Sequence, residues 1–263
     1  STHLVAGGTV RLGLASRFTG QLDVFAFMAM PLFILTAEIM TRAGVTRSLI
    51  DFALSIVGRL RGGLGHVNIL TSVFFAGISG SAIADSAALS RTFVPEMEER
   101  GYDRYYAGAI TAASSMIGPI IPPSIIMIIY GGLTGASVAA LFTAGVIPGV
   151  LLALSLMALN AVIARVRNHP GGPSPDLPRF WPSLLRAAPA LLLPVVILGS
   201  LVLGLATPTE GSAVAVLFAL IAGQFYTGLS RGMILDALEA TAAEIRNAFG
   251  VDVVTVAADV TTP

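Results

Sequence analysis

Four stretches of this chain are long and apolar enough to cross a lipid bilayer, and that fact removes most of the folds otherwise open to it. They are Leu22–Met40, Val138–Ala164, Ala187–Ala206 and Gly211–Thr227. A helix that crosses about 30 Å of hydrocarbon needs roughly 20 such residues. The first stretch is interrupted by Pro31 and carries Asp23 and Glu38 near its ends; the last two are separated by a tight Thr207-Pro208-Thr209-Glu210 turn. Composition agrees: 55% of the 263 residues are hydrophobic and 11% charged, where soluble domains carry about 25% charged residues. The expected fold is an all-α integral membrane protein with several spans, its surface solvated by lipid. The fifteen basic residues are all Arg and are balanced by fifteen acids. No basic stripe is present to neutralise phosphates, which argues against nucleic-acid binding. The absence of Cys excludes disulfides and thiolate metal sites, and His3, His66 and His169 show no ligand spacing. No span carries a His/Asp/Ser constellation, so an enzyme is not expected. Ser1–Gly20 does not read as a signal peptide, and both ends of the chain read as cut points.

Other apolar runs are too short to span. Leu64–Ile78 reaches about 22 Å and Ala82–Val94 about 20 Å, and Ser79-Gly80-Ser81 between them reads as a helix breaker. Arg59 and Arg61 precede this pair while Arg91, Arg100 and Arg104 follow it. Basic flanks favour the cytoplasmic side, so the pair is expected to enter and leave on one face as a re-entrant hairpin over 64–95, with its tip near Gly80 at mid-membrane. The next segment, 106–133, is expected to be a discontinuous helix. Tyr106–Ile117 covers about 18 Å and Ser124–Leu133 about 15 Å, and Gly118-Pro119-Ile120-Ile121-Pro122-Pro123 between them cannot continue an α-helix.

Arg placement threads the remainder. Leu133–Ser137 and Thr207–Gly211 lack Arg and fall outside; Arg165, Arg167, Arg179 and Arg186 flank a Pro/Gly-rich loop (168–182) and fall inside, as does Arg231. Arg11 and Arg17 do not fit this threading. Residues 42–61, with four Arg around the apolar Leu49–Val57, read as an interfacial helix on the cytoplasmic face, and Trp181 as an interfacial anchor. The resulting organisation is 1–63 as an N-terminal scaffold span and interfacial helix, 64–137 as a transport-type unit, 138–235 as further spans with a cytoplasmic loop, and 236–263 as a tail.

Unwound backbone inside a membrane is tolerated where protein or a water-filled cavity satisfies it, so a hairpin tip and a helix break at similar depth ask for a polar site. Half-helix ends and freed carbonyls suit a small cation, and helix N-termini suit an anionic substrate. The candidate residues are Ser79, Gly80 and Ser81 at the tip, with Gly118, Pro119, Pro122, Pro123 and Ser124 at the break; Ser79, Ser81 and the Gly118 carbonyl are the candidate sodium ligands. Ser114 and Ser115 read mainly as packing residues. Asp85, one turn past the tip, is an intramembrane acid; it is read either as part of the site or as a structural group, protonated or tied to an Arg. Glu38 and Glu210 read as capping or packing groups.

The segments Pro31–Met40, Arg61-Gly62-Gly63-Leu64, Ile78–Ala82, Gly118–Ser124, Leu141–Gly149 and Ala206–Glu210 resemble the large membrane subunit of tripartite ATP-independent periplasmic (TRAP) transporters, over roughly residues 20–235. Thr36 stands where that family often has Gly. The resemblance implies the first repeat of a two-repeat, inverted-repeat elevator-type fold in a cell (inner) membrane of a bacterium or archaeon. It implies sodium-coupled import of an organic anion of carboxylate type, with sodium as the coupling ion and no other cofactor. It also implies two partners, a periplasmic substrate-binding protein and a small four-helix membrane subunit. The tip and break look like that family's first sodium site. No second interrupted pair follows residue 210, so the alternative reading is a transport-inactive membrane fragment or scaffold lacking the second repeat. Residues 236–263 are expected to be a tail outside that family; the last ~20, from Ala242 to Pro263, resemble a short-chain dehydrogenase fragment, which places a possible fusion junction near Ala240.

Overall fold

The computed structural model describes residues 28–169, 177–226, 228 and 230–249. Among them there are ten α-helices and no strand: α1 (Ala29–Arg42), α2 (Val45–Val57), α3 (Gly63–Ser79), α4 (Ala82–Glu99), α5 (Arg104–Ser115), α6 (Ile125–Thr134), α7 (Val138–Val166), α8 (Phe180–Val202), α9 (Pro208–Tyr226) and α10 (Arg231–Phe249). Three of them, α7, α8 and α9, are long and apolar enough to cross a membrane. The most apolar window of α7 has only 17% of its residues buried within the protein. Ile147, Leu151, Leu154 and Leu159 on its surface are all more than half exposed. Such a surface is stable only against hydrocarbon, so the fold is that of a helical membrane protein.

Several boundaries differ from expectation for local reasons. Pro31 lies in the first turn of α1, where its missing N–H has no intrahelical partner to lose. The part of that stretch before residue 28 lies outside the described residues, as do Arg11 and Arg17. In the same way α8 opens at Phe180, well before Ala187, with Pro182 in its first turn, and it carries Pro189 and Pro194 inside. The expected loop to Pro182 is correspondingly shorter. Helix α9 opens at Pro208 rather than Gly211. The turn before it is a capping box: Glu210 Oε2 accepts from the Thr207 backbone N–H (2.7 Å) and hydroxyl (2.9 Å), and Thr207 Oγ1 accepts from the Glu210 N–H (3.3 Å). Glu210 is thus a capping group, as its position suggested. Helix α4 runs through Pro95 to Glu99, longer than Ala82–Val94, and its extra turn carries Glu96, Glu98 and Glu99. Helix α10 runs unbroken through residue 236 and packs on α1; the strand-like run beyond it lies outside the described residues.

Two apolar cores hold the helices together. One joins α1, α2, α8 and α9 through Phe33, Leu49, Leu193 and Ala219. The other joins α2, α3, α4, α5 and α7 through Ala53, Ile69, Phe93, Ile110 and Ala153. Helix α2 has a marked apolar side, burying Leu49, Ile50, Phe52 and Ala53 against α3 and α8. Loops assigned to one side by their Arg residues do meet. An Arg61 guanidinium N–H donates to Asn168 Oδ1 at 2.6 Å, and Arg167 pairs with Asp103 at 3.7 Å. Close behind them, the His169 ring packs 4.9 and 4.5 Å from the rings of Tyr102 and Tyr106. Buried Asn160 on α7 accepts from the Tyr106 hydroxyl and donates to the Gly62 carbonyl (3.3 Å). Gly62, at φ +71°, leaves no room for a side chain: a Cβ there would lie 2.4 Å from that of Ala164. The Arg-Gly-Gly-Leu motif therefore seats the start of α3 on the end of α7.

Candidate functional site: the hairpin tip and the helix break

Helix α3 stops at Ser79 because Gly80 takes a left-handed conformation (φ +60°), its N–H closing on the Ala76 carbonyl at 3.2 Å. Ser81 is extended and caps α4, its hydroxyl accepting the Ala84 N–H at 3.4 Å. The Ser81 N–H donates to Ser79 Oγ (3.3 Å), and the Ser79 hydroxyl donates to Asp85 Oδ1. Asp85 is fully buried in the first turn of α4, where the helix dipole favours a carboxylate. Its second oxygen, Oδ2, has no hydrogen-bond partner, and among the described residues no basic side chain lies within ion-pair distance of it. The reading of Asp85 as an Arg tie is therefore set aside.

The break follows α5. Three successive N–H groups, of Met116, Ile117 and Gly118, reach back only three residues (3.3, 3.0 and 3.1 Å), winding the chain tighter than an α-helix. Ile120 and Ile121 then share the Ile117 carbonyl, and a cis peptide joins Pro122 to Pro123. Ser124 closes the loop twice, its hydroxyl donating to the Pro119 carbonyl (2.6 Å) and accepting the Met127 N–H (3.3 Å) as the cap of α6. The Pro119 carbonyl is thereby already engaged.

Tip and break touch. A Cβ on Gly80 would sit 2.3 Å from the Pro123 carbonyl oxygen, and one on Gly118 would sit 2.6 Å from Asp85 Oδ2. The two interruptions can approach this closely only because both residues are glycine. The surroundings repeat the device. Gly145 and Gly149, one turn apart on α7, receive the Ile120 carbonyl and the Ile121 side chain; a Cβ on either would lie 2.4 Å from its neighbour. Gly77 takes Pro194 of α8, at 2.8 Å from a built Cβ. The structure thus gathers Ser79, Gly80, Ser81, Asp85, Gly118, Pro119, Pro123 and Ser124, with Pro122 in the same loop.

Behind the tip lies a polar seam between α3 and α5. The Asn68 amide donates to Thr111 Oγ1 (2.6 Å), the Ser72 hydroxyl lies 2.9 Å from that of Ser114, and Ser114 Oγ also reaches Asn68 Oδ1 at 3.4 Å. Ser115 bonds the Thr111 carbonyl at 2.8 Å. All are buried. Ser114 packs, as its small size suggested, but as a member of a hydrogen-bonded network; Asn68 amid an apolar run was the sequence signal for it.

In front of the tip is a cavity of ≈ 720 Å³, bounded by Gly80–Ala84 and Ala87, by Pro119, Ile125 and Ile126, by Ile34 and Glu38 of α1, and by α10. Two helix N-termini open on it, and N-terminal N–H groups lack intrahelical acceptors. Glu38, expected to cap or pack, faces this cavity and also pairs with Arg42 at 3.1 Å. Glu244 of α10 faces it too; nothing in its local sequence distinguishes it.

A helical membrane protein in which a hairpin tip and a helix break meet over a cavity has the interrupted backbone that membranes tolerate around protein or water-filled paths, and several kinds of protein use it. Comparison with known proteins says which kind. The family model for the tripartite ATP-independent periplasmic transporter, DctM component, matches residues 3–261, and the chain belongs to that family. It is 45% identical over 205 residues to the sialic acid TRAP transporter permease SiaT of Haemophilus influenzae, covering 78% of this chain and 33% of that protein. It is 42% identical to the large permease SiaM of Vibrio cholerae (80% and 49%) and 40% identical to the C4-dicarboxylate large permease DctM of Pseudomonas aeruginosa (81% and 50%). The chain spans about half the length of the curated large permeases it matches. That family is one of transport proteins and not of enzymes.

Proposed function

We propose that this chain is a multi-pass inner-membrane permease component that couples the inward movement of sodium to import of an organic anion. A periplasmic binding protein delivers the anion, and a small membrane subunit completes the complex. The observation that carries the reading is the buried carboxylate at the junction of tip and break: Asp85 Oδ2 has no partner and faces Gly118. A fully buried carboxylate oxygen without a donor is costly, and a hard monovalent cation beside it removes that cost. Asp85 with the hydroxyls of Ser79 and Ser81 and the carbonyls around Gly118 forms an all-oxygen set, which suits sodium. With the Pro119 carbonyl held by Ser124, that oxygen supports the loop rather than the ion. The organic anion occupies the cavity in front of the tip, its carboxylate at the N-termini of α4 and α6.

The test is thermal unfolding of the purified chain in sodium chloride against choline chloride at constant ionic strength. Sodium that binds the native state raises its stability by RT ln(1 + [Na⁺]/Kd), about 1.4 kcal/mol at tenfold Kd. Asp85→Asn and Ser79→Ala are expected to abolish or shrink that rise. A full sodium-dependent rise in Asp85→Asn would move the cation elsewhere.

A further inference from the structure

Three segments far apart in the chain meet where two of the long apolar helices, α7 and α8, have their ends. The turn after α2 touches both of the others. A Cβ on Gly58 would lie 3.0 Å from the Leu177 side chain just ahead of α8, and Gly62 packs on Ala164 near the end of α7. The Phe52 ring of α2 lies 5.8 Å from that of Phe180, the first residue of α8. Residues 58–62, 164–168 and 177–181 carry Arg59, Arg61, Arg165, Arg167 and Arg179, and no acid. All of these arginines are exposed. Asn168 engages Arg61 and Asp103 engages Arg167. Among the described residues, Arg59, Arg165 and Arg179 have no ion-pair partner and their side chains make no hydrogen bond. Leu60, Val166 and Trp181 are exposed among them, Trp181 to 70%.

We propose that this junction holds the phosphodiester headgroup of an anionic phospholipid. Guanidinium groups bind phosphate oxygens through paired N–H donors, and three of them stand here without a protein partner. Charge of one sign at the ends of spanning helices, with an exposed indole beside it, lies at the level where hydrocarbon gives way to headgroups. The acyl chains then run along the exposed apolar surface of α7 and α8, past Val162 and Leu185. A zwitterionic lipid carries a cation of its own beside the phosphate, which offsets the attraction to the arginines. The proposal stands apart from the sodium and organic-anion reading, since none of its residues belongs to the tip, the break or the cavity in front of them.

Trp181 is the one Trp of the chain, so its fluorescence reports which lipid sits at this place. The full chain is reconstituted in phosphatidylcholine bilayers containing a small, equal fraction of either phosphatidylglycerol or phosphatidylcholine with brominated acyl chains, which quench the indole on contact. A basic residue at an anionic lipid surface contributes about fivefold in binding, so brominated phosphatidylglycerol is expected to be enriched beside Trp181 by at least about tenfold. High salt is expected to reduce that enrichment. Arg59→Gln, Arg165→Gln and Arg179→Gln are each expected to lower it by up to about fivefold, and the three together to abolish it. Arg231→Gln removes an exposed arginine on α10, which packs on α1 away from this junction, and is expected to leave the enrichment unchanged. Melting temperatures equal to the parent in phosphatidylcholine alone check that the variants are folded. Equal quenching by the two brominated lipids overturns the proposal. So does an enrichment that survives the triple substitution, or one that Arg231→Gln lowers as much as the junction variants do, which would mean a diffuse attraction to the whole basic face.

Discussion

Gly80→Ala measures the contact between tip and break. Two costs arise at this position. The left-handed backbone (φ +60°) penalises any Cβ by about 1–2 kcal/mol. The new methyl would also sit 2.3 Å from the Pro123 carbonyl oxygen, a backbone atom that cannot swing aside. Overpacking of this kind costs about 1–3 kcal/mol. The expected total is about 2–5 kcal/mol, taking both terms together. Gly135 separates them, because it is also left-handed (φ +74°) but has nothing within 4 Å of a built Cβ. Gly135→Ala therefore carries the backbone cost alone. Thermal unfolding of both variants in the same micelle, in sodium and in choline, gives the difference. On the scale of folded domains this size, each kcal/mol is worth roughly 2–4 °C, so Gly80→Ala is expected to melt several degrees below Gly135→Ala and to lose sodium protection. Equal melting temperatures, with sodium protection intact in both, would refute the contact and with it the shared site.

Asn160→Leu strands the Tyr106 hydroxyl and the Gly62 carbonyl at the buried junction of α3, α5 and α7; the expected loss is about 2–4 kcal/mol in unfolding free energy, and a change below the error of the measurement would place those groups in water. Burial holds the His169 imidazole below its ordinary range, with Arg167 adding to that effect and Asp103 opposing it. The unfolded chain then takes up the proton first, so stability falls as pH drops through about 6.5, and His169→Phe is expected to flatten the slope of melting temperature against pH between about 7.5 and 5.5. Because the chain contains no Cys, single cysteines at Gly135 and Arg100 report topology directly. Impermeant maleimide is expected to reach Gly135 from the periplasm and Arg100 only after lysis; periplasmic labelling at Arg100 would turn the hairpin into a full span.

What the sequence shows of this architecture is its backbone punctuation. Ser79-Gly80-Ser81 and Gly118–Ser124 announce interruptions because Gly, Pro and N-capping Ser act on the chain locally, and the helices stop where those residues say. The same residues mislead where the effect depends on position within a helix. Pro31 and Pro182 look like breakers, yet in a first turn no hydrogen bond is lost, and both lie inside the opening of a helix. Residues brought to the site from far along the chain are a different matter. Asp85 reaches Gly118 across the tip, and Glu244 reaches the wall that Glu38 also lines. No periodicity in α1 or α10 encodes that meeting, because it is set by how whole helices pack on α3 and α4. Asn68 and Asn160 fall between these cases. An amide in an apolar run signals a buried partner, and only the packing names it, as Thr111 for one and Tyr106 for the other.

The motif residues of this region divide by what they touch. Gly62, Gly77, Gly145 and Gly149 each let one segment lie against another, and a methyl at any of them would fall within 2.8 Å of a neighbouring atom. Their chemistry is the absence of a side chain, and what they create is a rigid seat for the break. Asp85 is of another kind, because packing alone gives no reason for a carboxylate at a fully buried position with one oxygen unpartnered. A leucine there would cost nothing in desolvation. In that first turn of α4 the Ser79 hydroxyl donates to Asp85 Oδ1 and the helix N-terminus favours a negative charge, so the carboxyl group is held where it is rather than merely tolerated. Residues that break the local rule for burial, while the surrounding structure is spent on positioning them, are where function is expected. The glycines bring tip and break together, and Asp85 places a buried carboxyl group where they meet.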